Sequence, residues 1–293
     1  MYVATLLTNP ANPSLDAATV ESLRNAWGGG VAEWLNPGVA AEFPLETRPD
    51  NQWHVWQELQ GQGIDLAIQA MKGRQKHMLL ADMDSTMIEQ ECIDELADEA
   101  GVGAYVAGIT ARAMNGELQF EDALRERVAL LKGLDESVIA KVLETRITFT
   151  PGGREVIATM KARGGYAVLV SGGFTAFTTH VADTLGFDEN RANTLLVEGG
   201  KLTGTVAEPI LGRDAKIATL DDITARLGLQ ASDVIAVGDG ANDLGMLARA
   251  GAGVALHAKP AVAAQCDLRI NHGDLTALLY LQGYRIDDFV NEL

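Results

Sequence analysis

Cysteine is scarce in this sequence of 293 residues, in which Cys92 and Cys266 are the whole complement. Two distant cysteines provide neither the disulfide framework of a small secreted domain nor the close ligand spacing of a zinc site. We therefore expect two reduced, structural thiols. The length itself suggests about two domains and allows a sizeable core.

Long apolar runs and a recognisable targeting segment are also missing. No stretch of about 18 apolar residues occurs, so the sequence predicts no membrane span. The first residues, MYVATLLTNP, lack the basic start and the long apolar core of a secretory signal. A cytoplasmic protein is the expectation.

Positive charge is in short supply. The chain has 23 Lys and Arg against 40 Asp and Glu, a formal net charge of −17. Such a surface repels nucleic acid and anionic membranes, so neither is expected as a partner. An anionic substrate would need a local positive site, made by a metal ion or by a few placed Lys and Arg side chains.

Residues 1–75 have the pattern of a small α/β unit, followed by the polar, basic segment Lys72–Lys76. That segment predicts a boundary to a second domain, residues 76–293. The elements expected in the first unit are a strand at Tyr2–Leu7, a helix at Ser14–Trp27 with Ser14 or Asp16 as N-cap, an extended segment near Ala40–Leu45, and a helix at Gln52–Met71 that Gly61 and Gly63 interrupt.

Strands and helices alternate in the second domain, with short apolar strands at 78–81, 167–170 and 234–237. This alternation predicts an α/β fold with a doubly wound parallel sheet, whose site lies at the carboxyl ends of the strands. At about 95–150 the apolar residues instead recur at helical spacing. We expect an all-helical insertion there.

The first motif at a predicted strand end is LLADMDST, residues 79–86. Asp82 and Asp84 are two residues apart, so in extended chain both carboxylates face one site. One can attack phosphorus as a nucleophile, while the other exchanges protons. Two anions facing a phosphate dianion need a hard cation with oxygen ligands, and Mg²⁺ suits them. A solvated turn with a Ser/Thr cap would give the same local pattern.

The second motif is VLVSGG, residues 168–173. The Ser171 hydroxyl and the Gly172 amide can donate to phosphoryl oxygens, and glycine permits a close backbone approach. A simple turn between a strand and a helix would explain the same residue pattern.

The third motif is VIAVGDGANDLGML, residues 234–247. Asp239 and Asp243 have the character of cation ligands, and Asn242 can hydrogen-bond a phosphate or a carboxylate. A dinucleotide-binding loop fits poorly, because Asp243 stands at the third glycine position and would repel a pyrophosphate.

A phosphoryl group in transfer also needs a fixed cation. Lys216, on a predicted helix after Gly212, is the candidate. A lone lysine on a helix is more often part of a solvated face.

The order of these motifs resembles the haloacid dehalogenase-like superfamily of phosphotransferases, over roughly residues 77–285. The segments DMDST, ECIDELA, NGELQFEDALRERVALLKGL and VSGGFT are similar to those of the phosphoserine phosphatase family within it. This resemblance implies hydrolysis of O-phospho-L-serine, the last step of serine biosynthesis, through an aspartyl-phosphate intermediate. It also implies a cap formed by the helical insertion.

The resemblance further implies a role for each motif residue. Asp82 would be the nucleophile and Asp84 the general acid and base. The ligands of Mg²⁺ would be Asp82, the backbone carbonyl of Asp84, and Asp239, with Asp243 close by. The phosphate would be bound by Ser171, Gly172, Lys216 and Asn242.

Glu91 and Arg127 match the family positions that bind the ammonium and the carboxylate of the amino acid. A carboxylate suits an ammonium, and a guanidinium can bind a carboxylate through two hydrogen bonds. Arg125 is a rival for Arg127. Residues two apart on a helix point to different faces, so we expect one of the two to enter the site.

The first 75 residues weakly resemble a reduced version of the ligand-binding modules called ACT domains, with fewer strands than a full module. Whether this unit binds serine, mediates dimerisation of the chain or does neither remains open. At position 83 the sequence has methionine where the family more often has an aromatic or aliphatic residue. Its side chain is expected to point away from the site.

Two alternative functions remain open. One is a related phosphatase or phosphotransferase acting on another small phosphomonoester, although Glu91 and Arg127 together favour a ligand with both an ammonium and a carboxylate. The other is an amino-acid sensor whose phosphatase domain is inactive, although the complete set of carboxylates and Lys216 argues against it.

Overall fold

The computed structural model describes residues 1–114 and 117–290. Asn115 and Gly116, which begin the segment NGELQ, lie outside the described residues, as do the last three residues of the predicted second domain. Up to residue 70 the elements are β1 (Tyr2–Leu7), α1 (Ala17–Ala26), β2 (Glu33–Asn36), β3 (Ala40–Leu45), α2 (Gln52–Gln60) and β4 (Asp65–Ala70).

The elements beyond residue 70 follow in chain order, apart from short 3₁₀ turns at 231–233 and 286–288. They are β5 (Met78–Ala81), α3 (Cys92–Glu99), α4 (Gly103–Met114), α5 (Phe120–Ala129), α6 (Ser137–Thr145), α7 (Gly153–Ala162), β6 (Tyr166–Phe174), α8 (Thr175–Leu185), β7 (Glu189–Asn193), β8 (Leu195–Glu198), β9 (Lys201–Val206), α9 (Arg213–Leu227), β10 (Val234–Gly238), α10 (Leu244–Arg249), β11 (Ala252–Leu256), α11 (Pro260–Ala263), β12 (Leu268–Ile270) and α12 (Ala277–Leu281).

Residues 1–70, all of which are described, fold around one antiparallel sheet with the strand order β2-β3-β1-β4. The order strand, helix, strand, strand, helix, strand is that of the ferredoxin-like βαββαβ motif. Helix α1 begins after Asp16, whose carboxylate accepts the N–H of Thr19 at 2.8 Å. Of the two predicted caps, Asp16 is therefore the one that caps the helix.

Two expectations for this unit are wrong. The helix predicted at Gln52–Met71 ends at Gln60, and after Gly63, whose φ is +73°, the chain continues as strand β4. The second half of that apolar segment packs in a sheet, because β4 pairs with β1 along its whole length. Strand β2 was not predicted, since it is a four-residue edge strand with a single buried side chain. The unit therefore has more strands than the sequence indicated.

The second sheet confirms the predicted parallel α/β fold. Its strand order among the described residues is β12-β11-β10-β5-β6-β7, and every neighbouring pair is parallel. Strand β5 is buried on both faces: Leu79 and Ala81 belong to one apolar cluster, Met78 and Leu80 to another. Burial on both faces explains why this strand is apolar throughout.

Strand β6 is longer than predicted. It continues beyond Val170 to Phe174, because pairing with β7 resumes at Phe174 and Asn193 after an irregularity. The Ser-Gly-Gly motif therefore lies in an irregular extension of the strand, and α8 begins at Thr175.

Helices α4 to α6 make up most of the insertion predicted at about 95–150. The hairpin of β8 and β9 is attached to it, since the N–H of Gly133 donates to the carbonyl of Leu202 and the N–H of Leu202 donates to Leu134, both at 2.8 Å. The helical character of this segment agrees with the prediction.

Asp65 joins the two sheets. It is fully buried at the start of β4, and its carboxylate accepts the backbone N–H groups of Asn271, His272 and Gly273, each at 2.9 Å. Arg48 adds a contact across the same junction, 3.0 Å from Asp267. The two sheets also share apolar packing, since Leu7 and Ala67 belong to the same buried cluster as Tyr280. The junction thus combines specific polar contacts with a continuous apolar core.

Cys92 and Cys266 are both buried and form no disulfide, as predicted. Burial raises the pKa of each thiol, which makes the reactive thiolate form less accessible. Among the helices of the described residues, none combines the length and the apolar character needed to cross a bilayer.

Candidate active site

The three sequence motifs meet because β10, β5 and β6 are neighbours in the sheet. Asp82 follows β5 directly, Asp239 follows β10, and Ser171 lies in the extension of β6. The carboxyl ends of parallel strands meet at one edge of a sheet, which is where such folds place their sites.

Asp82 is buried, with 4% of its surface exposed. Its Oδ1 atom accepts the N–H of Met83 at 2.7 Å and lies 2.8 Å from Nζ of Lys216. Burial raises the pKa of Asp82 well above its usual range, and the nearby carboxylate of Asp243 raises it further. Met83 is fully buried in the core, and its methyl group lies close to Gly173.

Lys216 is buried on α9, with 1% of its surface exposed, so it is not part of a solvated face. Besides Asp82 it contacts Oδ1 of Asp243 at 2.6 Å. Burial alone would lower the pKa of this ammonium group, but the carboxylates of Asp243 and Asp82 raise it above its usual value. Lys216 is therefore a fixed positive charge between two carboxylates.

Asp82, Asp239 and Asp243 form a cluster in which one oxygen of each lies within 4.8 Å of the others. Burial raises the pKa of Asp239 to about 7, with further contributions from Asp243 and Glu91. The negative charge of three ionised carboxylates would exceed the single positive charge of Lys216. A hard divalent cation would correct this imbalance, and carboxylate oxygens are the ligands that such a cation prefers.

Asp84 is not in that cluster. Its Oδ1 accepts the backbone N–H of Cys92 at 3.0 Å, and its Oδ2 accepts the hydroxyl of Ser171 at 3.3 Å. The pKa of Asp84 is raised to about 6. Burial is the largest cause and the negative charge of Glu91 adds to it, whereas the hydrogen bond from Cys92 lowers the pKa. A carboxyl group with a pKa near neutrality can both donate and accept a proton.

The Ser-Gly-Gly segment leaves no room for larger residues. A Cβ atom on Gly173 would lie 2.7 Å from Oδ2 of Asp84, and one on Gly172 would lie 2.8 Å from the ring of Phe120. Asn193 donates to the carbonyl of Gly172 at 2.8 Å and so anchors the segment. This close packing holds the Gly172 backbone and the Ser171 hydroxyl next to Asp84.

Asn242 is half-buried in the loop between β10 and α10. The neighbouring Gly240 has no space for a side chain, since a Cβ atom there would collide with the Asn242 amide oxygen. The N–H of Gly240 donates to Oδ2 of Asp243 at 3.0 Å. The loop is thus folded around Asp243, with Asn242 directly before it.

Glu91, directly before α3, and Arg127, on α5, come from different parts of the chain. Both are close enough to Asp84 to interact with its charge. Arg127, on α5, is half-buried, and burial lowers the pKa of its guanidinium. The carboxylates of Asp94, Glu91 and Asp84 act in the opposite direction. Arg125 instead is exposed and pairs with Glu208 at 2.9 Å. Arg127 is therefore half-buried within electrostatic range of Glu91 and Asp84, whereas Arg125 lies at the surface.

Two site residues were missed in the sequence. Ser85 has a positive φ of 53°, and its hydroxyl donates to Glu91 at 2.8 Å, which fixes Glu91 beside the motif. Phe120 lies over Gly172, at the start of α5. Ser85 was interpreted as part of a turn, and Phe120 as one residue of a helical segment. A serine just after two aspartates was the available signal for the first, whereas nothing local marked the second.

Comparison with known proteins decides the family. Residues 79–248 match the family model described as haloacid dehalogenase-like hydrolase. A phosphoserine phosphatase of Streptococcus thermophilus is 48% identical over 200 residues, which cover 68% of this chain and 93% of that protein. The chain belongs to the phosphoserine phosphatase family of haloacid dehalogenase-like hydrolases.

Other members of the phosphoserine phosphatase family differ in length from this chain. A phosphoserine phosphatase of Streptomyces coelicolor is 42% identical over 252 residues, which cover 84% of this chain and 61% of that protein. The chain therefore spans about three fifths of the length of that relative.

Two solved structures are similar to the chain over different lengths. A haloacid dehalogenase family hydrolase of Salmonella enterica serovar Typhi has a TM-score of 0.85 at 30% identity, over 96% of this chain and 98% of that one. A phosphoserine phosphatase solved as an analogue of its phospho-aspartyl intermediate has a TM-score of 0.66 at 43% identity, over 70% of this chain and 98% of that one. The similarity to the Salmonella hydrolase thus includes the N-terminal unit.

Proposed function

We propose that this protein hydrolyses O-phospho-L-serine to L-serine and phosphate through an aspartyl-phosphate on Asp82, the last step of serine biosynthesis. The observation that carries the proposal is the contact of Asp82 with Lys216 at 2.8 Å, close to Asp84, whose carboxylate accepts the hydroxyl of Ser171 at 3.3 Å. A nucleophile, a proton donor and a fixed cation then surround one phosphoryl position. The relatives named above support the same reaction.

Mg²⁺ is the proposed cofactor, with Asp82, the backbone carbonyl of Asp84, and Asp239 as ligands and Asp243 close by. The surplus of buried carboxylates supports a divalent cation at this position. When bound, the ion would neutralise charge on the phosphoryl oxygens and lower the repulsion between phosphate and carboxylate.

The reaction proceeds in two steps. In the first, an oxygen of Asp82 forms a bond to phosphorus, the bond between phosphorus and the serine oxygen breaks, and protonated Asp84 gives its proton to that oxygen. In the second, Asp84 takes a proton from water, whose oxygen attacks phosphorus and releases Asp82 and phosphate. The raised pKa of Asp84, about 6, supports its part in both steps.

Phosphate binding is assigned to Ser171, Gly172, Lys216 and Asn242. Ser171 and Gly172 offer an O–H and an N–H donor, Asn242 offers an amide, and Lys216 supplies the charge. These groups would hold the phosphoryl oxygens as charge shifts toward them during transfer.

Substrate recognition is assigned to Glu91 and Arg127. Glu91 would accept hydrogen bonds from the ammonium of serine, and Arg127 would bind its carboxylate. The half-buried position of Arg127 near Glu91 and Asp84, in contrast to the surface pairing of Arg125 with Glu208, supports this assignment. A substrate that lacks either group should bind less tightly.

The domain assignment is part of the proposal. Residues 76–293 would be the phosphatase domain, with the helices between about 95 and 150 as a cap that closes over the substrate and excludes water. Residues 1–75 would be an ACT-like regulatory or dimerisation domain, which the βαββαβ order of its elements supports.

The test is phosphate release from L-phosphoserine, with Mg²⁺ and after its removal, beside phosphoethanolamine and glucose 6-phosphate. We expect metal-dependent turnover with a strong preference for phosphoserine. Equal turnover of phosphoethanolamine, which has no carboxylate, would contradict the role of Arg127. The absence of turnover on every ester, with retained serine binding, would favour an amino-acid sensor.

A further inference from the structure

A cavity lies between the two sheets, and none of the three clustered aspartates lines it. Its volume is about 560 Å³, and strand β4 with Tyr2 of β1 forms one wall. Helix α10 and strands β11 and β12 contribute the opposite wall. This volume is within the range of small-molecule sites, which is roughly 300–1,000 Å³.

The lining of this junction cavity is strongly basic. Five cationic side chains contribute to it: Arg48, Lys72, Arg74, Lys76 and Arg213. They are drawn from the 23 Lys and Arg of a chain whose net charge is −17. Among the lining residues that the structure describes, Asp267 is the one acid. The cavity is therefore a positive region in an otherwise negative protein.

Two of the five cations are already neutralised. Arg74 binds both oxygens of Glu42, at 2.6 and 2.8 Å, and Arg48 pairs with Asp267 at 3.0 Å. These pairs fix the shape of the wall. They leave Lys72, Lys76 and Arg213 to face an occupant.

The other three have no carboxylate at salt-bridge distance within the described part of the chain. The Lys76 ammonium donates to the carbonyl oxygens of Gly73 and Ser232, at 2.7 and 2.8 Å. Lys72 and Arg213 are exposed. Burial lowers the pKa of Lys76, and the nearby charge of Asp233 raises it, although the two form no salt bridge. Three cations on one cavity without a salt-bridge partner in the described part of the chain are an arrangement that an anion would stabilise.

Apolar side chains complete the wall, among them Ile68, Leu244 and Leu247. Ile68 and Leu247 are buried by the protein itself, whereas Leu244 is half-buried and keeps apolar surface in the cavity. The volume of about 560 Å³ is much larger than one inorganic anion needs. We propose that the junction cavity binds a small organic polyanion, with phosphate or carboxylate groups at Lys72, Lys76 and Arg213 and its carbon skeleton against Leu244.

An occupant of this cavity would contact both domains. It would touch β4 in the N-terminal domain, and also α9 and α10, the helices that carry or follow Lys216 and Asp243. A ligand that binds both domains of the folded protein stabilises it in proportion to its occupancy. Binding is therefore expected to raise the unfolding temperature.

The experiment is isothermal titration of the full chain in metal-free buffer with three probes: ADP, pyrophosphate and citrate. We expect one-to-one binding of at least one probe, with a Kd below about 1 mM that weakens as salt is added. Preference for ADP assigns the anionic groups to phosphates, and preference for citrate assigns them to carboxylates. Pyrophosphate, the probe without a carbon skeleton, should bind more weakly than the better of these two. Failure of both ADP and citrate to bind, or tightest binding of pyrophosphate, would overturn the proposal.

The variant K72Q/R213Q locates the site. It removes two exposed charges, so folding is preserved, and we expect a loss of affinity of about tenfold or more. The matched control is K132Q/R154Q, which removes the same charge from exposed residues outside the cavity. Equal affinity in K72Q/R213Q and wild type would place the probe elsewhere, including in the carboxylate site. An equal loss in the control would indicate unspecific attraction, and either result overturns the proposal.

Discussion

Nζ of Lys216 lies 2.8 Å from Oδ1 of Asp82, the oxygen that also accepts the N–H of Met83. The lysine approaches from α9, and the aspartate from the end of β5. The ammonium and the backbone donor together fix the carboxylate that would attack phosphorus.

Lys216→Met should reduce kcat about 10²- to 10³-fold, the usual loss when one charged group that stabilises a transition state is removed. The measurement is steady-state phosphate release from phosphoserine. Lys201→Met, on the exposed hairpin, is the control and should leave kcat unchanged. A kcat within a factor of about two of wild type for Lys216→Met would show that the lysine has no part in the transfer.

Arg127→Ala should raise KM for phosphoserine, since it removes the proposed partner of the substrate carboxylate, a bond worth about 1.5–3 kcal/mol. That energy corresponds to roughly 10- to 150-fold in affinity. Arg125→Ala is the matched control on the same helix and should leave KM unchanged, because Arg125 pairs with Glu208 at the surface. The reverse result, with Arg125 affecting KM, would exchange the two assignments.

Mg²⁺ affinity should fall as pH is lowered through about 7. The pKa of Asp239 is raised to about 7, so below that pH a proton occupies the carboxylate and must leave when a cation binds. Deprotonation above pH 7 therefore favours the metal. Titration calorimetry in buffers of different ionisation enthalpy measures both the affinity and the protons released. Affinity that is constant between about pH 6 and pH 8 would contradict this linkage.

Asp65→Ala should destabilise the protein by about 2–4 kcal/mol, since it leaves one buried and two partly buried N–H groups without an acceptor. Chemical denaturation gives the change in unfolding midpoint. Asp50→Ala, at an exposed position of the same domain, is the control. If both variants unfold at the wild-type midpoint, the contacts of Asp65 do not hold the domains together.

The sequence predicted most of the parallel α/β fold beyond residue 76, and the reason is visible in β5, β6 and β10. Their apolar runs are buried on both faces, which makes the strands easy to recognise, and their polar ends must then meet at one edge of the sheet. The positions of Asp82, Ser171 and Asp239 followed from that rule.

Contacts between distant segments were not predictable in the same way. The burial of Lys216 depends on the packing of α9 against α10, and a lone lysine in a helix gives no local sign of it. Strand β4 was interpreted as a helix, because its identity as a strand depends on pairing with β1, more than fifty residues earlier. The charged cavity between the domains depends on side chains that lie far apart in the sequence, from Arg48 to Asp267.

The central claim is covalent catalysis by Asp82, and the most direct measurement is a rapid-quench reaction with phosphoserine labelled on phosphorus. The account predicts label on the wild-type protein, removable by hydroxylamine as expected of an acyl phosphate, and neither label nor turnover in Asp82→Asn. Turnover near the wild-type rate in Asp82→Asn, or turnover by the wild type with no labelled protein at any time, would contradict it.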